Sequence, residues 1–318
     1  MTMRVLVTGS SGFVGRHLVR HLVESGHEPL CFDLIEPVGG QTASLRTHIG
    51  DLQDVAGIAQ HVRTLKPDGC IHLGGIAFVP MGWTDPGLVF SVNVTGTINL
   101  LEAFRAEAPA ARMVVVTSSE VYGMTPRKEV ITEKHPLTPS NLYGVSKMAA
   151  DLSAQLYAKR YNMPIVVARP LNHIGPGQSP RFVTSAFAEQ LIDIAHGKKK
   201  PAMRVGNLET ERDFTDVRDV ARAYRLLLEK GRPGEAYNIT SGTRVRIRTV
   251  LDQLCELAGV HPQIDVDPQL YRPTDSSPVI ETVKIREEAG WRPEIPLRTT
   301  LQDILGSLLP NASSASLK

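Results

Sequence analysis

The chain has 318 residues, is 42% hydrophobic and carries a formal net charge of +2. That length supports one large core or two modest ones, and so balanced a charge gives no case for a nucleic-acid partner, with Lys198, Lys199 and Lys200 read as a solvated loop. Three widely spaced cysteines, Cys31, Cys70 and Cys255, match neither a metal site nor a disulfide framework, so a reducing, cytoplasmic setting is expected.

Met3 to Thr8 is a short β-branched run expected to form a buried parallel strand. With a strand starting at residue 3 no signal or transit peptide is expected, and no apolar run is read as membrane-spanning. The strand leads into Gly9-Ser10-Ser11-Gly12-Phe13-Val14-Gly15, followed by a helical pattern through Leu18, Leu22 and Val23. A G-x-x-G-x-x-G turn between strand and helix is a dinucleotide-binding arrangement, one residue longer than the commoner G-x-G-x-x-G. Gly9 permits the tight turn, Gly12 lets backbone approach a pyrophosphate, and Gly15 brings helix and strand together. Amides around Ser11, Phe13 and Val14 then favour the anion at the helix N-terminus.

The next strand, Glu28 to Asp33, ends in an acid eighteen residues past Gly15, near the ~20-residue offset of a ribose-binding carboxylate. Asp33 would accept hydrogen bonds from the adenosine ribose and repel a 2′-phosphate. That favours NAD(H) and leaves NADP(H) open; an ordinary solvated strand-end acid is the alternative. Gly50-Asp51-Leu52 follows a short third strand at a position suited to the adenine. Cys70 to Gly75 reads as a fourth strand whose glycine-lined turn, with Leu73 and Gly74, lies beside the cofactor.

Helix 88–105, strand 112–117, helix 142–161 and strand 164–169 continue the alternation, as in an α/β protein with a Rossmann-type, doubly wound parallel sheet. Within the second helix, Tyr143 and Lys147 are four residues apart and share a face. A free tyrosine titrates near pKa ~10, and a neighbouring ammonium stabilises its phenolate. Ser118, at the end of an apolar run, can hold a substrate oxygen while the proton moves. A Tyr-x-x-x-Lys pair also arises on ordinary helix faces; the glycine turn upstream is what points to proton transfer beside a dinucleotide. After Leu171, glycine and proline cluster, a helix runs through Phe187 and Ile192, and short pieces follow. The expected division is a dinucleotide-binding domain over 1–170 and a smaller mixed α/β substrate region over 171–318. Segments such as 214–240 would return to the first domain.

Together, Gly9, Gly12, Gly15, Asn93, Ser118, Tyr143 and Lys147 resemble the extended short-chain dehydrogenase/reductase superfamily, most of whose members act on nucleotide sugars. The resemblance implies that Ser118, Tyr143 and Lys147 are catalytic and that Asn93 supports the fold or proton relay near the nicotinamide. It also implies a homodimer formed through helices 88–105 and 142–161. Arg169 to Val183, Val205 to Asp219 and Tyr237 to Gly242 are similar to GDP-6-deoxy-D-mannose reductases, which reduce GDP-4-keto-6-deoxy-D-mannose. On that resemblance Asn172, Arg181, Arg212 and Arg272 are expected to bind the GDP-sugar. Arginine suits a diphosphate because its guanidinium meets phosphate oxygens bidentately. Glu120 stands where related 4,6-dehydratases keep a carboxylate that takes the sugar C5 proton, so a dehydratase or a 4-epimerase is the alternative. A cofactor-sensing regulator without chemistry would lose the tyrosine or lysine, and both are present. The turn Leu73 to Trp83 is more apolar than in these relatives, which leaves a talo-configured product open.

Overall fold

The computed structural model describes residues 2–36, 45–124, 129–271 and 279–309. The chain forms two compact units: Met1–Leu171 with Val217–Thr240 and Pro278–Arg292, and Asn172–Asp216 with Ser241–Ser277 and Pro293–Lys318. The first unit thus takes in 278–292, which the sequence pattern did not mark.

The first unit is built on β1 (Arg4–Thr8), β2 (Glu28–Asp33), β3 (Thr47–Ile49), β4 (Gly69–His72), β5 (Arg112–Val116), β6 (Val130–Ile131) and β7 (Ile165–Pro170). All but β6 join a seven-stranded sheet in the order Ala236–Ile239, β7, β5, β4, β1, β2, β3, with every pair parallel. Helix α1 (Phe13–Glu24) and helix Val217–Lys230 cover one face, where Leu18, Leu22, Val220, Tyr224 and Leu227 pack with Val5, Val7 and Trp291. Helix α2 (Val55–Leu65) and helices Gly96–Glu107 and Leu142–Tyr161 cover the other through Ile58, Val62, Leu100, Phe104, Ala154 and Ala158. A sheet buried on both faces favours strands that are near-continuous apolar runs rather than alternating; the fully buried β7 is apolar from Ile165 to Ala168, ahead of Arg169. The strand order reverses between β1 and β4, so their C-terminal ends form the switch point where such sheets bind ligands.

Two expected elements differ in detail. Strand β4 stops at His72, leaving Leu73 to Gly75 as turn. The helix expected over 88–105 is Pro86–Phe90, a π-helical turn Ser91–Thr95 and Gly96–Glu107 in succession. These make a 22-residue helical stretch that is, by length and composition alone, long and apolar enough to cross a membrane, contrary to the sequence reading. Its Leu100, Leu101 and Phe104 are buried in the core of the first unit.

The second unit has its own core. Phe187 and Leu191 of helix Val183–Ala195, Val250 and Leu254 of helix Ile247–Ala258, and Leu301 and Ile304 of helix Leu297–Leu308 pack together. Thr300 donates to Asp216 at 2.7 Å from the last of these helices.

Candidate active site

The glycine turn is shaped by contacts that a side chain would break. Gly9 has φ +70°, and a Cβ there would lie 3.0 Å from the Gly74 amide nitrogen. A Cβ on Gly15 would lie 2.2 Å from the Gly9 carbonyl oxygen. Gly12 occupies the N-cap position of α1, which has no side-chain cap, so the helix N-terminus keeps its capacity to receive an anion. Asp33 is fastened beside this turn, its Oδ2 accepting from the Ser11 amide at 2.8 Å and its Oδ1 from the Leu34 amide at 2.7 Å. Asp51 Oδ1 accepts from the Gln53 amide at 2.9 Å. Leu52 crowds the second glycine-lined turn, its Cδ1 lying 2.7 Å from where a Cβ on Gly74 would be.

A buried histidine ties these turns together. Thr8 Oγ1 accepts from the Gly74 amide at 3.0 Å and lies 2.7 Å from His72 Nδ1. His72 Nε2 lies 3.0 Å from Thr97 Oγ1, which donates to the Asn93 carbonyl at 2.6 Å. That donor sequence assigns the ring proton to Nε2 and leaves Nδ1 to accept from Thr8. Burial, with help from the Lys147 charge, pulls the His72 pKa down to about 3, so the ring is neutral at ordinary pH.

Tyr143 and Lys147 lie on the buried face of helix Leu142–Tyr161, which begins where Asn141 Oδ1 accepts from the Gly144 amide at 2.8 Å. Ser118 follows β5 and caps the 3₁₀ turn Ser119–Tyr122, its Oγ accepting from the Glu120 amide at 3.2 Å. Lys147 Nζ donates to the Val116 carbonyl at 3.3 Å. Asn93, in the π turn, donates to Ser146 Oγ at 3.0 Å and to the Ile76 carbonyl at 3.1 Å. Ser146 Oγ in turn donates to the Tyr143 carbonyl at 2.7 Å. Glu120 Oε2 accepts from Asn141 Nδ2 at 2.8 Å, on the same side of the 3₁₀ turn as the helix start.

The electrostatics differ from the sequence expectation in one respect. Burial, the largest influence, pushes the Tyr143 phenol above its ordinary 10.0; the Ser118 hydrogen bond pulls it down and the Glu120 charge pushes it up again. Lys147 does not set that value, and burial lowers its own pKa to about 8. In this state the phenol is protonated at neutral pH and is equipped to donate rather than to accept a proton.

One part of this site escaped the sequence reading. Asp151, fully buried, accepts from Arg169 Nε at 2.8 Å and Nη2 at 2.9 Å, and from Thr117 Oγ1 at 3.0 Å. Arg169 Nη1 also donates to Tyr122 Oη at 2.9 Å, and the guanidinium sits 5.3 Å from the Tyr122 ring centroid. Asp151 continues the four-residue spacing of Tyr143 and Lys147, a signal that could have marked it.

In the second unit, Asn172 Nδ2 donates to the Asp213 carbonyl at 3.4 Å and Arg212 Nη1 to the Glu211 carbonyl at 2.8 Å. Arg181 is exposed and Arg212 half-buried; Arg272 lies outside the described residues. Among the described residues no cluster suits a metal ion.

A parallel sheet of this order, with a glycine turn at its switch point, defines a Rossmann-type dinucleotide-binding fold. The sequence matches the GDP-mannose 4,6 dehydratase family over residues 6–304, and the chain belongs to that family. It is 34% identical to the GDP-6-deoxy-D-mannose reductase of Pseudomonas aeruginosa, covering 96% of this chain and 97% of that one. The structure of RMD from Pseudomonas aeruginosa complexed with NADPH superposes with a TM-score of 0.85 at 34% identity, covering 96% of this chain and 99% of that one. UDP-glucose 4-epimerase of Thermus thermophilus in complex with NAD gives a TM-score of 0.85 at 29% identity, covering 96% and 98%.

Proposed function

We propose that the protein uses NAD(P)H to reduce the 4-keto group of GDP-4-keto-6-deoxy-D-mannose, forming GDP-D-rhamnose or its talo epimer. The observation that carries this reading is the buried placement of Tyr143 and Lys147 on one face of helix Leu142–Tyr161, with Ser118 just beyond the end of β5. The 34% identity to a GDP-6-deoxy-D-mannose reductase along nearly the whole chain supports the substrate class.

The residues present fit a dinucleotide. Gly9, Gly12 and Gly15, with the amides of Ser11, Phe13 and Val14, would hold its pyrophosphate, and Asp33 its adenosine ribose. Asp51, Leu52, Leu73, Gly74 and Asn93 complete the proposed contacts. When bound, the cofactor supplies the hydride. Tyr143 Oη donates the proton to the carbonyl oxygen, and Ser118 Oγ steadies the charge developing there. Lys147 holds the nicotinamide ribose. Asn172, Arg181, Arg212 and Arg272 are the proposed contacts of the GDP-sugar. Helices 88–105 and 142–161 are proposed to pair two copies of the chain, and Leu152 and Leu156 are exposed on the second of them; a monomeric mass in solution would contradict that pairing.

Glu120 favours a second reading. Half-buried and hydrogen-bonded to Asn141, it could accept a sugar proton in a 4,6-dehydratase retaining NAD, and a 4-epimerase would share that cofactor cycle. Oxidation of NADH and NADPH with the enzymatically prepared 4-keto sugar nucleotide, and NMR of the product, separates the readings. Consumption of cofactor with a GDP-6-deoxyhexose product establishes the reductase. If neither cofactor is consumed, the reductase reading fails and dehydration of GDP-mannose becomes the reaction to test.

A further inference from the structure

The two segments that carry the candidate catalytic groups, the turn opened by Ser118 and helix Leu142–Tyr161, converge on one buried ion pair. Asp151 lies on the Tyr143 and Lys147 face of helix Leu142–Tyr161, two turns beyond Tyr143. Its Oδ2 takes hydrogen bonds from Arg169 Nε and from Thr117, the residue directly before Ser118. Arg169 reaches the far end of the turn that Ser118 opens, donating to Tyr122 Oη, and it also donates to the Glu133 carbonyl at 3.1 Å. Tyr122 Oη itself donates a hydrogen bond to Asn238 Oδ1 at 2.7 Å. Ser118 is therefore anchored on both sides, by Thr117 and by Tyr122, to the pair that also grips the helix bearing Tyr143.

A buried ion pair is an expensive way to fill space, since apolar residues of similar volume often stabilise a core as well or better. What it supplies here is direction: a bidentate guanidinium–carboxylate pair tolerates little sliding, and a hydrogen-bonded network is stiffer than its separate contacts. We infer that Arg169 and Asp151 are positioning residues, which set the spacing between Ser118 and Tyr143 by holding Thr117, Tyr122 and the Tyr143 helix to one another. The inference rests on the reading of Ser118 and Tyr143 as the proton-handling groups.

Asp151 and Arg169 variants risk misfolding, because each strands a buried charge. Thr117→Val removes one anchor and leaves the ion pair in place; Thr117→Ser restores the hydroxyl. For both, kcat and KM with the 4-keto sugar nucleotide, the NADPH dissociation constant and the thermal midpoint would be measured beside Tyr143→Phe. Displacement of a catalytic group by a fraction of an ångström should lower kcat of Thr117→Val by about ten-fold. KM and NADPH affinity should stay within about two-fold, with kcat recovered in Thr117→Ser. A Thr117→Val enzyme with wild-type kcat, or one whose kcat and NADPH affinity fall and whose KM rises together with a lowered thermal midpoint, overturns the inference. If that happens while Tyr143→Phe is inactive, the inference alone fails. If Tyr143→Phe keeps wild-type turnover, the assignment of Tyr143 fails and takes the inference with it.

Discussion

A Cβ on Gly15 would lie 2.2 Å from the carbonyl oxygen of Gly9, so these two residues set how closely α1 approaches the end of β1. Gly15→Ala must push the helix start away from the turn. Overpacking of this kind costs about 1–3 kcal/mol. The displaced amides should also weaken NADPH binding by about ten-fold, or ~1.4 kcal/mol. Urea unfolding and a fluorescence titration with NADPH read the two effects separately.

Asp33 is held by two backbone amides at 2.8 and 2.7 Å, which keeps its negative charge at the mouth of the glycine turn. Asp33→Asn retains an acceptor oxygen and removes that charge. The ratio of NADPH to NADH affinity should rise by about ten-fold as like-charge repulsion of the 2′-phosphate is relieved. An unchanged ratio would show that this carboxylate does not face the ribose.

Acid stability should follow His72. Its folded pKa of about 3 lies below the ordinary 6.5, so the unfolded chain binds more protons throughout that interval. Stability attributable to His72 is complete above 6.5 and erodes as pH falls toward about 3. His72→Gln, which keeps a donor and an acceptor, should lose stability less steeply between these values. Chemical denaturation of both proteins at several pH values measures the slope; equal slopes would exclude His72 as its source.

Trp291 is fully buried and donates from Nε1 to the Asp219 carbonyl at 2.8 Å. Trp291→Ala should cost about 3–5 kcal/mol through the cavity it leaves, with Trp291→Phe retaining most of the packing. A midpoint shift in urea at constant m value would verify the magnitude.

The features legible beforehand are local ones. A β-branched run, a positive-φ glycine and a helix pattern sit within Arg4–Glu24, and each follows from the residues beside it. Tyr143 and Lys147 share a face because helix geometry requires it at that spacing. Arg169 was not legible as a buried residue, because an arginine at a strand end ordinarily faces water and only the fold brings Asp151 to it. The rise in the Tyr143 pKa is not legible for a related reason: the spacing to Lys147 is local, whereas burial and the approach of Glu120 depend on elements distant in the chain. The placement of Ala236–Ile239 beside β7 is equally non-local, since residues 171–235, which include the first segment of the second unit, separate the two strands.

That last pairing constrains how the polypeptide can be made. The first unit includes segments as late as Arg292, interrupted by pieces of the second. Until Ala236–Ile239 emerges from the ribosome, β7 is a largely apolar edge, Ile165 to Ala168, with no neighbour on that side. Such an edge invites pairing with other nascent chains. Synthesis of this protein should therefore pass through a long window in which a chaperone, rather than the native sheet, shields β7, and fragments ending before Ala236 should aggregate when expressed alone.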